Sequence, residues 1–396
     1  VKRTNSFNIK WDNPEEIRDL AKGCAVLWNK LNYKRRQSFF DEEEEFGWSS
    51  DEFYDDFKGW VGSTTAQQII RNNNSAWKSY FSLLKKYKNN GDDMERPSPP
   101  GYWKDRKKDE LELKIIVRND SYTIEDGTVK LPFGRTGEVV GKPHWEGKQG
   151  ALWIYYDRLD ECWRARQPVE VEPRHQPSGD KTAFVDLGVI YPITAKIEGV
   201  DKTIAYNGRP LLSKWWLYNK RIDKAKSKLK EENGKYTSER LKRLFRQRKR
   251  TFKDKIRKIA HDFIERCYQA DVDTIVMGDL TGIRENKEKW NKKADSMVHN
   301  YWSHKYLIDR IRWTAENYGM DIELIDERGT SSRCPRCGSE EKVRRGRLYK
   351  CKNCGLEAHR DAVGALNISF VYQGRTNEPT DRGSINRVMA HPEVVS

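Results

Sequence analysis

The chain has 396 residues, more than one ordinary hydrophobic core accommodates, so two to four domains are expected. Its 75 Lys and Arg outweigh 60 Asp and Glu to give a formal charge of +15, and 14 Trp and 18 Tyr accompany that charge; cations meet phosphates and flat rings stack on bases, so nucleic acid is the expected partner. No apolar run approaches membrane-spanning length and no signal-peptide pattern opens the sequence, so a cytoplasmic protein without membrane partners is expected.

In chain order, "SFNIKW" alternates like a strand. "NPEEIRDLAKGCAVLWNKLNYKRRQSF" reads as a helix with Asn13 as its cap and Pro14 at the first helical position. The acidic "DEEEEFGWSSDEFYDDF" reads as an interrupting loop. From Ser63 an amphipathic pattern resumes, with Ala66, Ile69, Ile70, Trp77, Tyr80, Phe81 and Leu84 on one face. Residues 13–90 therefore form a helical domain, left through "NNGDDMERPSPPG". Next come "ELKIIV", "SYTIEDGTVKL" with a tight turn at Asp126-Gly127, "ALWIYY" and "CWRARQPVEVE". These short strands suggest a small β-barrel over residues 1–12 and 91–175, with the first strand completing it, and "EPRHQPSGD" is the linker that follows.

"TAFVDLGVIYPITAKIE" reads as two buried strands joined by a turn. Trp215 to Ala270 is a basic helical region broken near Asn233-Gly234, and its charges suit a solvated helix face as well as a nucleic-acid surface. The strand "TIVMGDL", a helix around "YLIDRIRWTAENYG" and the strand "DIELIDE" then give the order of an α/β domain with a partly parallel sheet.

"CPRCGSEEKVRRGRLYKCKNCG" sets Cys334 and Cys337, then Cys351 and Cys354, as two CxxC pairs with thirteen residues between them. Two such turns complete a tetrahedral sulfur site suited to Zn2+, structural because four thiolates leave no open position; redox chemistry explains paired knuckles poorly. Seven cysteines with four clustered argue for metal binding over disulfides, leaving Cys24, Cys162 and Cys267 as packing residues.

Three segments end a strand or begin a helix with an acid: Asp186 in "FVDLGV", Gly278-Asp279, and Asp361 in "HRDAVGALNI". Each alone reads as a capping or surface acid. Together with "TSSRCPRCG" and "YKCKNCG", they resemble the TnpB family of transposon-associated RNA-guided nucleases, relatives of type V CRISPR effectors and of Fanzor proteins. The resemblance is best over residues 180–372, and the amino-terminal half follows the family's layout more than its motifs.

The resemblance implies a multi-domain α+β chain. Its parts would be a wedge-like barrel (1–12 and 91–175), a helical recognition domain (13–90), and an RNase H-like (RuvC) nuclease domain (180–330 and 357–372). A zinc-ribbon insert (331–356) and a tail (373–396), disordered or touching RNA, complete it. It further implies an omega-type guide RNA, a double-stranded DNA target, two catalytic Mg2+ ions, and nucleoid association when bound to DNA. Asp186 and Asp361 take the first and last places of the family's Asp, Glu, Asp ligand set. Such carboxylates suit the chemistry, because Mg2+ prefers carboxylate oxygens and phosphodiester hydrolysis needs an activated water and a neutralised leaving oxygen.

The chain departs from the family at the middle motif, where Gly278 stands in the usual glutamate position. Side chains alternate along a strand, so Asp279 would need a bulge to reach the metals. Glu327, ending the next strand, is the expected replacement, and relocated glutamates of this kind occur in the wider family. Asp326, Asp279 and Glu285 stay open as alternatives, as does a dead site. Lys220, Arg221, Lys224, Arg243, Arg246, Arg250, Lys253 and Arg257 are expected to line the nucleic-acid channel. Two other functions remain in view: a nuclease-dead RNA-guided repressor, and a zinc-ribbon nucleic-acid-binding protein that uses no guide.

Overall fold

The computed structural model describes residues 1–41, 45–89, 95–105, 109–234, 236–279, 301, 304–326, 332–374 and 391–395. Within them the chain divides into two units, Val1–Glu172 and Pro173–Ser396.

In the first unit, β1 (Lys2–Trp11) buries every second residue from Asn5 to Trp11, as a strand with one covered face requires. Helix α1 (Pro14–Phe40) starts where the Asn13 side chain accepts from the Glu16 N–H at 3.3 Å, with Glu15 and Glu16 placed favourably in its first turn. Helix α2 (Asp51–Val61) forms where the sequence reads as an acidic loop. Phe53, Phe57 and Val61 recur every four residues and are buried, so the acids simply occupy the opposite face. Helix α3 (Ser63–Asn89) buries Ala66, Ile69, Ile70, Trp77 and Tyr80.

The strands of this unit are β2 (Lys104–Asp105), β3 (Glu110–Leu111), β4 (Lys114–Val117), β5 (Thr123–Glu125), β6 (Thr128–Leu131) and β7 (Arg135–Val140). They continue with β8 (Lys148–Gln149), β9 (Leu152–Asp157) and β10 (Cys162–Glu170). Eight of them make one sheet in the order β4-β9-β10-β1-β7-β6-β5, with β8 beside β10. The turn between β5 and β6 places Asp126 and Gly127 at φ 49° and 73°, the double positive φ that a tight hairpin needs. Ile115 and Ile116 of β4 share one core with Ile17, Leu20 and Leu31 of α1 and Ile69 of α3.

The second unit is built on a six-stranded sheet in the order β15-β14-β11-β12-β13-β19. Its strands are β11 (Lys181–Asp186), β12 (Thr194–Ile197), β13 (Ile204–Tyr206), β14 (Val272–Asp279), β15 (Asp321–Asp326) and β19 (Glu393–Val395). Between them run α4 (Arg209–Asn233), α5 (Glu239–Gln269), α6 (His304–Ala315) and, after a small sheet of β16 (Lys342–Arg345), β17 (Leu348–Cys351) and β18 (Glu357–His359), helix α7 (Arg360–Tyr372). β11 runs antiparallel to β12 and parallel to β14, which in turn runs parallel to β15.

Strand alternation splits this sheet into two faces. Ala183, Val185, Ala195, Ile275 and Met277 face the core shared with Phe263 and Ile264 of α5 and Leu307 and Ile311 of α6. Phe184 and Val276 face the other way and pack with Ile368 of α7 and Ile325 of β15. Burying Phe184, Val276 and Ile368 contributes roughly 1.5–3 kcal/mol each, enough to fix α7 on that face. The segment Glu393–Val395, which the sequence leaves within an undecided tail, adds a parallel edge strand to β13. The Glu393 N–H bonds the Thr203 carbonyl and the Asn207 N–H bonds the Val395 carbonyl, both at 2.8 Å.

Candidate active site and metal centre

Cys334, Cys337, Cys351 and Cys354 converge, their sulfurs all within 4.8 Å of one another. Cys334 and Cys354 approach to 3.6 Å, as do Cys337 and Cys351. A sulfur tetrahedron with bonds of about 2.3 Å to zinc has edges of about 3.8 Å, so the cluster fits such an ion. Backbone closes each turn: the Gly338 N–H bonds the Cys334 carbonyl at 2.8 Å, and the Cys351 N–H bonds the Leu356 carbonyl at 2.9 Å. Burial pushes the Cys334 thiol up. At Cys337 burial is outweighed by hydrogen bonds from the Ser339 N–H and the Asn353 amide, which bring the thiol down to about 7. Cys24 and Cys267 are buried and Cys162 half-buried, away from this cluster.

A second site forms where α7 crosses the ends of β11 and β14. Asp186 is the last residue of β11 and follows Phe184 on the α7 face. A Cβ built on Gly364 would stand 2.8 Å from Asp186 Cγ and 2.9 and 3.1 Å from its two oxygens. Glycine at that position lets the carboxylate rest directly on the helix backbone. Asp361 lies one turn earlier on α7, on the side of the helix that Gly364 presents to Asp186. Asp361 is 6% exposed. Arg347, at the turn between β16 and β17, donates from Nη1 to both Asp361 oxygens at 2.9 Å, while the Arg360 N–H bonds the Arg347 carbonyl at 2.9 Å. The cysteine-bearing sheet thus delivers a guanidinium to Asp361, a contribution the sequence reading missed. Its signal was an arginine immediately after the turn glycine Gly346, inside a segment read only for its cysteines.

The residues fit a divalent cation on two observations. Hard carboxylate oxygens are the donors Mg2+ prefers, and Asp186 is presented on a backbone cradle that a side chain would fill. In addition, Thr194, the antiparallel partner of Asp186 on β12, has a fully buried Oγ1 with no hydrogen-bond partner among the described residues. A lone buried hydroxyl costs about 1–3 kcal/mol, so an unmet hydrogen bond there is informative.

Register separates the candidates for a third carboxylate. Val185 pairs with Met277, so Asp186 and Gly278 are the next positions along the two strands. Gly278 pairs with Ile325, which packs on the α7 face, and Asp279 pairs with Asp326 one residue further on. Both Asp279 and Asp326 are exposed and alternate away from that face. Glu327 and Glu285 lie outside the described residues.

The basic region folds as α4 and α5 packed together. Lys220, Arg221, Lys224, Arg243, Arg250 and Arg257 are exposed, whereas Arg246 and Lys253 are half-buried. Lys253 Nζ stands 5.0 Å from the Tyr306 ring centre. Arg248 lies on the side of Leu241 and Phe252, over the Trp215 ring at 4.0 Å, and holds the helices together. Among the described residues no helix is long and apolar enough to cross a membrane.

Comparison with known proteins gives the family of the chain. The TnpB-like protein ORF457 of Acidianus two-tailed virus is 31% identical over 402 residues, covering 93% of this chain and 86% of that protein. The chain belongs to the TnpB family. Residues 166–284 match the profile OrfB_IS605, described as a probable transposase, and residues 304–368 match the Cas12f1-like TNB domain. A TnpB-like protein of Methanocaldococcus jannaschii, MJ0751, is 32% identical over 149 residues, 38% of this chain and 50% of that one. The CRISPR-associated endodeoxyribonuclease Cas12f1 of Sulfoacidibacillus thermotolerans is 34% identical over 99 residues, 24% of this chain and 22% of that one. In fold, this TnpB-family chain is similar to Cas12f1 in a complex with sgRNA and target DNA, with a TM-score of 0.59 over 91% of this chain and 83% of that one at 14% identity. It is also similar to the mini RNA-guided endonuclease CRISPR-Cas_phi3, with a TM-score of 0.56 over 94% and 92% at 12% identity. Both share its mixed α+β, multi-domain fold.

Proposed function

We propose that the chain is an RNA-guided DNA endonuclease of a transposon. It would cut double-stranded DNA beside a short motif by metal-assisted phosphodiester hydrolysis. The observation that carries this reading is the seating of the Asp186 carboxylate against Gly364 of α7, one turn from Asp361 and its Arg347 partner. Family membership supplies the guide: base pairing carries sequence, and the protein grips the backbone.

On this reading, residues 180–330 and 357–372 form the RuvC-like nuclease domain and residues 331–356 its zinc ribbon. Residues 1–12 and 91–175 form the wedge, residues 13–90 the recognition domain. Asp186 and Asp361 would hold two Mg2+ ions together with Glu327, which follows Ile325 by two residues in the sequence. Gly278 carries no side chain of its own in the family's usual glutamate position. Mg2+ held there would supply an activated water and charge to neutralise the leaving oxygen. Arg347 offsets charge on the phosphate as it transfers. The four cysteines would hold Zn2+ and so fix the hairpin that carries Arg347. The exposed cations of α4 and α5 line the guide and target channel.

The test is cleavage of a plasmid matched to the copurified RNA, with the flanking motif found from a randomised library. Wild type should cut in Mg2+ and Asp186→Ala and Asp361→Ala should not. A second reading, a guided repressor without nuclease activity, is favoured by the buried Gly278 in the glutamate position. Binding of the matched plasmid without cutting in any divalent metal would select it.

A further inference from the structure

We propose that Thr194 is a positioning residue of the carboxylate site, its hydroxyl oxygen accepting a hydrogen bond from a water that accompanies the cation held by Asp186. The inference rests on the nuclease reading above. Thr194 and Asp186 are direct partners in the antiparallel pair of β11 and β12, so their side chains rise from the same face with Cβ atoms about 5 Å apart. That face is the one α7 covers. Thr194 is 0% exposed and its Oγ1 meets no donor or acceptor among the described residues. Valine has the same shape and would bury without an unmet hydrogen bond, and the adjacent Ile193 and Ala195 are apolar. The hydroxyl is therefore held at the expense of folding stability, which points to use.

Two charged side chains of this region have partners of their own. Lys196, the next residue of β12 on this face, turns its ammonium to the Val200 carbonyl. Arg347 directs its Nη1 to Asp361. Mg2+ dehydrates reluctantly and keeps several waters, each with protons to donate, so a hydroxyl oxygen beside the carboxylate completes what the cation brings with it.

The test uses the full, zinc-replete chain and Mn2+ alone, followed by electron paramagnetic resonance, with Asp186→Asn defining the site. Thr194→Val should raise the Mn2+ dissociation constant by about 10-fold or more, within the range for lost outer partners of a metal site. Its metal-free Tm should equal or exceed that of wild type, and Thr194→Ser should restore affinity to within about threefold of wild type. Unchanged Mn2+ binding by Thr194→Val overturns the proposal and leaves the nuclease reading standing. A lowered metal-free Tm in Thr194→Val also overturns it, because the hydroxyl then has a structural partner. If Asp186→Asn binds Mn2+ as wild type does, the carboxylates hold no cation and the nuclease reading falls with the proposal.

Discussion

The four cysteines and the two aspartates of this chain are brought together by opposite means. Two turns thirteen residues apart supply every sulfur of the cysteine cluster, and backbone hydrogen bonds within each turn aim them. Asp186 and Asp361 stand nearly half the chain apart and meet only because α7 packs on the ends of β11 and β14. The first site is local chemistry that any competent hairpin supplies. The second is a product of sheet order, register and one helix glycine, so it is sensitive to changes that never touch a carboxylate. The two are also joined, since the hairpin held by the cysteines carries Arg347 to Asp361.

The sharpest way to break this contrast is to remove one centre and read the other. Cys351→Ser should abolish zinc content by elemental analysis and melt the small sheet, because structural zinc sites contribute about 10–16 kcal/mol of apparent binding free energy. Cutting should disappear as well, while affinity for the copurified RNA stays within about threefold, since the basic helices belong to another part of the fold. Survival of cutting would mean that the hairpin does not serve the carboxylates. Arg347→Ala is a milder version that spares the zinc. It should lower the cleavage rate by about 100-fold at unchanged zinc content, and Arg347→Lys should recover only part of the loss.

Gly364→Ala probes the assembled site alone. In an ordinary helix interior this change stabilises by roughly 0.5–1 kcal/mol, but here the new methyl would meet the Asp186 carboxylate at 2.8 Å. Cleavage should fall about 10- to 100-fold with little change in Tm, measured by calorimetry beside the cutting assay. The smallest effect belongs to the exposed cations. Arg243→Ala or Arg250→Ala should each lessen the salt slope of RNA binding by about 1, visible in titrations at several salt concentrations. Arg248→Ala should instead cost folding stability, because its guanidinium lies over Trp215.

The same contrast explains what was legible in the sequence. Cys334 through Cys354 could be read outright, because ligand spacing within a turn is a one-dimensional property. So could the strands ending at Asp186 and Asp279, from apolar runs closed by an acid. Helix α2 was hidden because its acids drew attention from the period of Phe53, Phe57 and Val61. The edge strand Glu393–Val395 was hidden because three residues carry no period, and only pairing with Ile204 to Tyr206 defines it. Arg347 and Arg248 were invisible for a related reason: among many arginines, sequence does not say which one a neighbouring element will claim. The face to which Asp279 belongs follows from alternation, but only the pairing of Gly278 with Ile325 anchors that alternation in space.

The most direct measurement is Mg2+-dependent cleavage of a matched plasmid by the RNA-bound protein, comparing wild type, Glu327→Ala and Asp279→Ala. The expected result is cutting by wild type and by Asp279→Ala, and loss of more than about 100-fold in Glu327→Ala, since even outer partners of a metal site cost 10- to 100-fold. Cutting that survives Glu327→Ala and is lost in Asp279→Ala would contradict the register, and with it the site built on Asp186, Glu327 and Asp361.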